Sequence, residues 1–426
     1  MKIENIRQTV LGLLMLFSIY LYAVTNDPIT ERIIVQKIDL LDIELEEKRT
    51  IHYLNTLRKE AGLIPLNVSN VLNSAAKNHA NYLVKHHKIG HYEDENKIGY
   101  TGKYGSDRSV HVGYKTSMII ENISSNNRSY KESVDGLMAA IYHRFGFLDF
   151  HIDEIGIAIA QNLENRAETA FVYDMGSQKL ETLCKNSENR KILKPLANIC
   201  SNPQSNISRE EFLDAIYAHR YQNAKMVIYP YDGQEDVTPV FYEELPDPLP
   251  NHSVSGFPIS ISFNEREFKS IEILSFQLFH ESGEEITDTI FYNHKTDINK
   301  KLKKYEFVLF PLHRLEWSTK YNVRVAYEAD GIIKNKKWDF KTRSFDSPLY
   351  NVTVDNNHYT IKKGESAIFY FPPLSSHDML GDLKFPAILD ISFIDKNSIK
   401  LTSNEIIEET ILLSFGKHQL KLDVIP

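Results

Sequence analysis

Near residue 226 the spacing of apolar residues changes, and one fold cannot satisfy both spacings. Before that point they recur at helical intervals. In "EEKRTIHYLNTLRKEAGLIPL" Ile51, Leu54 and Leu57 share one face, and Gly62 stands where a helix would stop. In "NVSNVLNSAAKNHANYLVKHHKIGH" the stripe is Leu72, Ala75, Ala76, Ala80 and Leu83, with Ser69 as N-cap and Gly90 as terminator. "SVDGLMAAIYHRFGFL" is helical by pattern, whereas "EIGIAIAQN" and "TAFVYDMG" read as paired strands. Residues 49–176 therefore form a mixed α and β domain, preceded by a charged, amphipathic leader helix over 28–48. Beyond 254 the pattern is short alternating runs such as "ISISF", "YEFVLFPL" and "YNVRVAYEA", as an all-β sandwich requires. The expected division is a sandwich at 254–345 and a smaller β-domain at 346–426. A connector at 177–253 holds both cysteines, the helix "SREEFLDAIYAHRYQ" and a Pro-rich linker.

The 426-residue length agrees with about three domains of roughly 150 residues each. Net charge is −8 with no long run of like charge, so no nucleic-acid partner is expected. At the N-terminus Lys2 and Arg7 precede an uncharged run over 9–26. Its apolar heart, 10–24, is short for a membrane span of about 20 residues and suits a signal peptide. Tyr22-Ala23 before Val24 is a poor cleavage site, so an uncleaved membrane anchor is the alternative. Either way the rest of the chain is expected outside the cytoplasm, periplasmic, secreted or held at the inner membrane. Cys184 and Cys200, 16 apart, are then expected as a disulfide, worth about 3 kcal/mol by loop entropy. The alternative is two buried free thiols.

A series of motifs, in order, makes 49–176 resemble the bacterial form of the CAP superfamily, the SCP/PR-1-like domains. They are "LNTLRKEAGLIPL", "AAKNHANYL", "GHYEDE", "YTGKYGSDRSVHVGY", "ENIS" and "IYHRFGFLDFHIDEIGIA". "VIYPYDGQEDVTPVFYEELPDP" with "GFPISISF" resembles the segment that follows such domains in multidomain envelope proteins. "STKYNVRVAYEADG" and "WDFKT" resemble bacterial Ig-like modules. The resemblance implies an α+β multidomain chain, a CAP α-β-α sandwich followed by all-β Ig-like modules. It also implies a cleft holding two histidines and two acids. His91 matches the histidine of "GHYEDE", Glu121 the glutamate of "ENIS" and His143 the later histidine. The second acid, due in the helix before His143, is missing: residues 137–140 are uncharged, and Glu132 and Asp135 are out of register.

Two imidazoles and a carboxylate suit Zn²⁺ or another divalent ion with an open position. They also suit acid–base chemistry, or a hydrogen-bonded cluster that only orders the cleft. His143 is expected to face His91 and Glu121, with Arg144 turned away. His151 and Glu154 read as turn and strand, His79 as a core histidine, and Asp107–Arg108 as a buried ion pair holding the long loop. The resemblance implies binding of lipids, sterols or other apolar ligands, as in some members, or adhesion and matrix roles, as in others. The expected function is therefore a non-catalytic binding or cell-envelope interaction protein, with an apolar molecule, lipid or envelope component as partner. The alternative is a metal-dependent hydrolase of peptide or cell-wall material.

Overall fold

A computed structural model describes residues 31–33 and 39–426, apart from 382, 383 and 387. The expected signal peptide or anchor at 1–24 lies outside the described residues. The described residues divide into two compact units, 39–344 and 345–426, the latter including the short segment 31–33.

The larger unit begins with α1 (Ile43–Glu60), β1 (Asn67–Val68), α2 (Asn70–Lys85) and α3 (Gly105–His111). Next come β2 (Ile120–Ser125), α4 (Tyr130–Ala139), α5 (Ile141–Phe147), β3 (Glu154–Gln161) and β4 (Thr169–Gly176). The four strands form a sheet in the order β1-β3-β4-β2, parallel between β1 and β3 and antiparallel elsewhere. The leader helix is a correction. Residues 31–33 are a strand, paired antiparallel with 384–386, and 43–48 are the first turns of α1. The Asp42 carboxylate accepts from Leu45 N and starts the helix there, so the amphipathic pattern of 43–48 belongs to α1.

The connector carries α6 (Gln178–Lys185) and α7 (Arg209–Ile216). Cys184 and Cys200 form a disulfide across it, beside buried Leu180 and Ile207. Replacing both cysteines by serine should lower stability by about 3 kcal/mol, because the unfolded connector regains loop entropy. Denaturant titration of the double variant measures this; an unchanged midpoint would show that the connector opens before the rest unfolds.

The expected Pro-rich linker is also corrected. It contains β5 (Met226–Tyr229), β6 (Gln234–Val237) and β7 (Val240–Phe241), with β8 (Ser255–Gly256) paired to β7. The sandwich continues through β9 (Ile259–Phe263), β10 (Ile271–His280), β11 (Thr289–Asn293), β12 (Glu306–Pro311), β13 (Lys320–Ala329) and β14 (Ile332–Thr342). One sheet has the order β11-β12-β9-β5, the other β10-β13-β14-β6. The first strand thus splits: β5 pairs antiparallel with β9, and β6 runs parallel to the last strand β14. This is an Ig-like arrangement, and it begins at 226 instead of 254. Turn residues between the two halves of a split strand gave this segment its linker-like composition.

The two layers of the larger unit share one core. Leu54, Phe147, Ile155 and Phe171 lie in the same apolar cluster as Val227, Ile259, Val323 and Trp338. The smaller unit has its own core, including Phe369, Phe371, Ile399 and Leu422, between a four-stranded and a three-stranded sheet. Among the described residues no helix is long and apolar enough to cross a membrane.

Candidate functional site

The loop between α2 and α3 is held from below by Arg108, whose side chain is fully buried. Its Nη1 donates to the carbonyls of His91, Gly102 and Lys103 at 3.1, 3.2 and 3.2 Å. Its Nη2 donates to Glu121 Oε2 at 2.5 Å, and its Nε lies 3.8 Å from Glu93 Oε1. The expected Asp107–Arg108 pair does not form. Neighbours on a helix point in different directions, and Asp107 instead accepts from Tyr104 N at its own helix start.

Glu121 on β2 is nearly buried and spends its second oxygen on His91 Nδ1, at 2.9 Å. Burial would raise its carboxyl, but the His91 hydrogen bond and the Arg108 guanidinium outweigh burial and hold it down at about 2. Opposite it in the ladder is Asp174 on β4, fully buried. Burial and the adjacent Glu121 charge push the Asp174 carboxyl well up. His79 is a satisfied core residue: its Nδ1 meets Glu93 Oε1 at 2.9 Å and its Nε2 meets Gly90 O at 3.1 Å.

His143 projects from α5, which lies tight against β2. A Cβ on Gly146 would come 2.9 Å from Asn122 Oδ1. Asn122 Nδ2 donates to His143 O at 2.8 Å. The imidazoles of His91 and His143 stack with centroids 6.2 Å apart and planes 13° from parallel. His91, Glu121 and His143 are thus brought together. Arg144 points away, into the core beneath the sandwich, where it donates to Pro258 O at 2.7 Å. His151 bonds Asp149 Oδ1 at 2.8 Å, and Glu154 accepts from Tyr114 OH at 2.6 Å. They occupy the turn and the start of β3.

The residue that sequence reasoning missed is Glu244. It lies after β7, and its side chain is 1% exposed. Its Oε2 accepts from His143 Nδ1 at 3.0 Å, 101 positions away in sequence. Burial pushes the Glu244 carboxyl up, against the His143 bond and the backbone donors of Ile141 and Tyr142. The only mark it left in the sequence is a pair of glutamates within "FYEELPDP". A carboxylate beside each Nδ1 favours the Nδ1–H tautomer of both imidazoles, the form that leaves the Nε2 lone pairs for another partner. Among the described residues no three His, Cys, Asp or Glu side chains already converge as ligands of one ion.

No curated protein matches the chain. Among solved structures, an outer surface protein from Borrelia burgdorferi is similar at 19% identity and TM-score 0.28, over 33% of this chain and 98% of that one. An extracellular protein containing an SCP domain from Bacillus anthracis is similar at 13% identity and TM-score 0.28, over 33% of this chain and 44% of its own. A cysteine-rich secretory protein from Staphylococcus aureus gives 17% and 0.24, over 33% and 42%. The chain therefore spans less than half of these last two proteins. The description of the cysteine-rich secretory protein family, CAP, matches residues 51–175, the segment bounded by α1 and β4. By that match, residues 51–175 are a CAP domain of the cysteine-rich secretory protein type, followed by an Ig-like sandwich outside the match.

Proposed function

We propose that this protein is an exported, non-catalytic binding protein of the cell envelope whose ligand site is the cleft of His91, Glu121 and His143. The carrying observation is that each imidazole gives its Nδ1 to a carboxylate, leaving two stacked rings with Nε2 available. That donor set suits Zn²⁺ or another divalent cation, because metal-binding histidines usually have a carboxylate or carbonyl on the other ring nitrogen. Both Nε2 atoms would have to come within about 2.0–2.2 Å of the ion. His91, on a loop and 37% exposed, is the ring placed to tilt. Glu121 would then orient His91 from behind and not bind the ion itself, since both its oxygens are engaged. A bound ion would supply a Lewis-acid anchor for a carbonyl or anionic group of an envelope component.

An apolar molecule or lipid is the second reading. Tyr92, Ile98 and Tyr104, all exposed on the loop that carries His91, favour it. Export is supported by the disulfide and by the apolar run at 10–24.

Zinc calorimetry on the purified chain tests the first reading. His143→Ala should weaken binding at least tenfold, and His151→Ala should leave it unchanged. Equal losses in both variants, or no zinc uptake by the unaltered chain, would remove the metal. Peptide or cell-wall hydrolysis that disappears in His143→Ala would replace the binding reading by the metal-dependent hydrolase.

A further inference from the structure

We infer that Glu244, which lies outside the CAP domain, is the positioning residue of His143, so the cleft is a composite site assembled jointly by the CAP domain and the sandwich. The inference takes its ligand from the reading above, but its geometry stands apart from that reading.

The CAP domain does not provide what α5 needs. Ala140 breaks the chain between α4 and α5 with extended backbone, φ −76° and ψ 112°, and has no side-chain oxygen to cap the start of α5. Glu244 supplies the cap from about a hundred residues away. Its Oε1 accepts from Ile141 N at 2.6 Å, and its Oε2 accepts from Tyr142 N at 3.2 Å and from His143 Nδ1 at 3.0 Å. Three consecutive residues therefore give hydrogen bonds to one buried carboxylate. A buried charge is tolerated only with such donors, so moving one group displaces the others.

Both flanking side chains are also tied to the sandwich. Tyr142 OH donates to Asp297 Oδ1 at 2.5 Å and accepts from Asn299 Nδ2 at 3.1 Å. Arg144 Nη1 donates to Pro258 O at 2.7 Å and Ser260 Oγ at 3.0 Å. Glu244 itself is fixed from two sides. Strand β7 precedes it and β8, paired to β7, follows it, while Phe241 and Leu249 bracket it in a cluster with Ile141, Phe145 and Phe310. The tautomer and aim of His143 are thus set by how the sandwich seats on α5. The acids of the preceding helix, Glu132 and Asp135, are engaged elsewhere, with Arg128 and with Tyr53 and Lys131.

The experiment uses the full chain with ¹⁵N-labelled histidine, long-range ¹H–¹⁵N correlation spectra and zinc calorimetry. Glu244→Gln keeps the shape, and its amide oxygen still accepts from Ile141 N. Its NH₂ then faces His143 Nδ1 and requires an acceptor there. The expected result is Nδ1–H His143 in the unaltered chain, Nε2–H in Glu244→Gln, and at least a tenfold loss of zinc affinity with the thermal transition retained. A loss of packing alone would not invert a tautomer. Nε2–H in the unaltered chain, or an unmoved tautomer in the variant, overturns the inference whatever zinc does. An inverted tautomer with undiminished zinc affinity also overturns it, since Glu244 would then not act on the ligand site. If the unaltered chain takes no zinc but the tautomer inverts, the metal reading fails and the positioning role stands. Should Glu244→Gln unfold, the tautomer of the unaltered chain decides.

Discussion

Gly156→Ala should prevent the CAP domain from folding. Gly156 lies on β3 where the first turn of α2 crosses the strand. A Cβ there would meet Leu72 C at 2.1 Å and Asn73 N at 2.4 Å. Both are backbone atoms and cannot swing aside. The helix is pinned at that spot by Ser69 N bonding Ile155 O at 2.8 Å and Asn73 Oδ1 accepting from Ile157 N at 2.8 Å. The methyl group would have to lift α2 off the sheet, breaking both bonds and opening the core around Leu72 and Ala76. Overpacking usually costs about 1–3 kcal/mol where side chains can yield; with backbone on both sides the cost should exceed about 3 kcal/mol. Circular dichroism and thermal melting of the variant measure it. A soluble variant with the unaltered transition would show that the crossing is looser than described.

Arg144→Met should be nearly as damaging, for a different reason. The guanidinium is fully buried and donates to Met138 O at 2.6 Å as well as to Pro258 O and Ser260 Oγ. It lies 5.0 Å from the Tyr229 ring centre and 4.7 Å from that of Phe257, which adds cation–π attraction. Burial pushes its pKa down to about 9, so it still carries its charge at neutral pH. Methionine would fill the volume but strand the acceptors that the guanidinium serves. Charged hydrogen bonds of this kind are worth about 1.5–3 kcal/mol each, and losing a buried set about 3–5 kcal/mol. Denaturation should show the loss as an earlier first transition, with CAP and sandwich no longer unfolding together. A single transition at the unaltered midpoint would mean the surrounding rings, not the charge, hold the two layers.

The CAP elements were legible because their signals are local. The α2 stripe from Leu72 to Leu83 and the Gly in "EIG" each reflect packing within a few residues or against an adjacent element. His91, Glu121 and His143 were reachable because each sits inside such a motif. Glu244 was not, since the donors it serves lie about a hundred residues upstream and no periodicity links them. The segment after 226 misled for a related reason. Pro, Gly and Asp mark turns, and a first strand divided between two sheets needs a turn in its middle; composition reports the turn and misses the pairing. Arg108 shows the converse error, in which sequence adjacency to Asp107 suggested a partner that helix geometry forbids.

The three ties on α5 also bear on the order in which the chain can mature. Residues 51–175 are made first, yet the groups that complete α5 are Glu244, Pro258, Ser260 and Asp297. As the chain emerges from its N-terminus, the earlier domain waits with uncapped backbone N–H groups, a cation lacking two of its three acceptors and one apolar face open. Domains of larger proteins generally fold as units, in order of synthesis. Here the first-made domain instead depends on the later one, so a translation pause or a truncation between 176 and 260 would strand the CAP domain as an open, aggregation-prone intermediate.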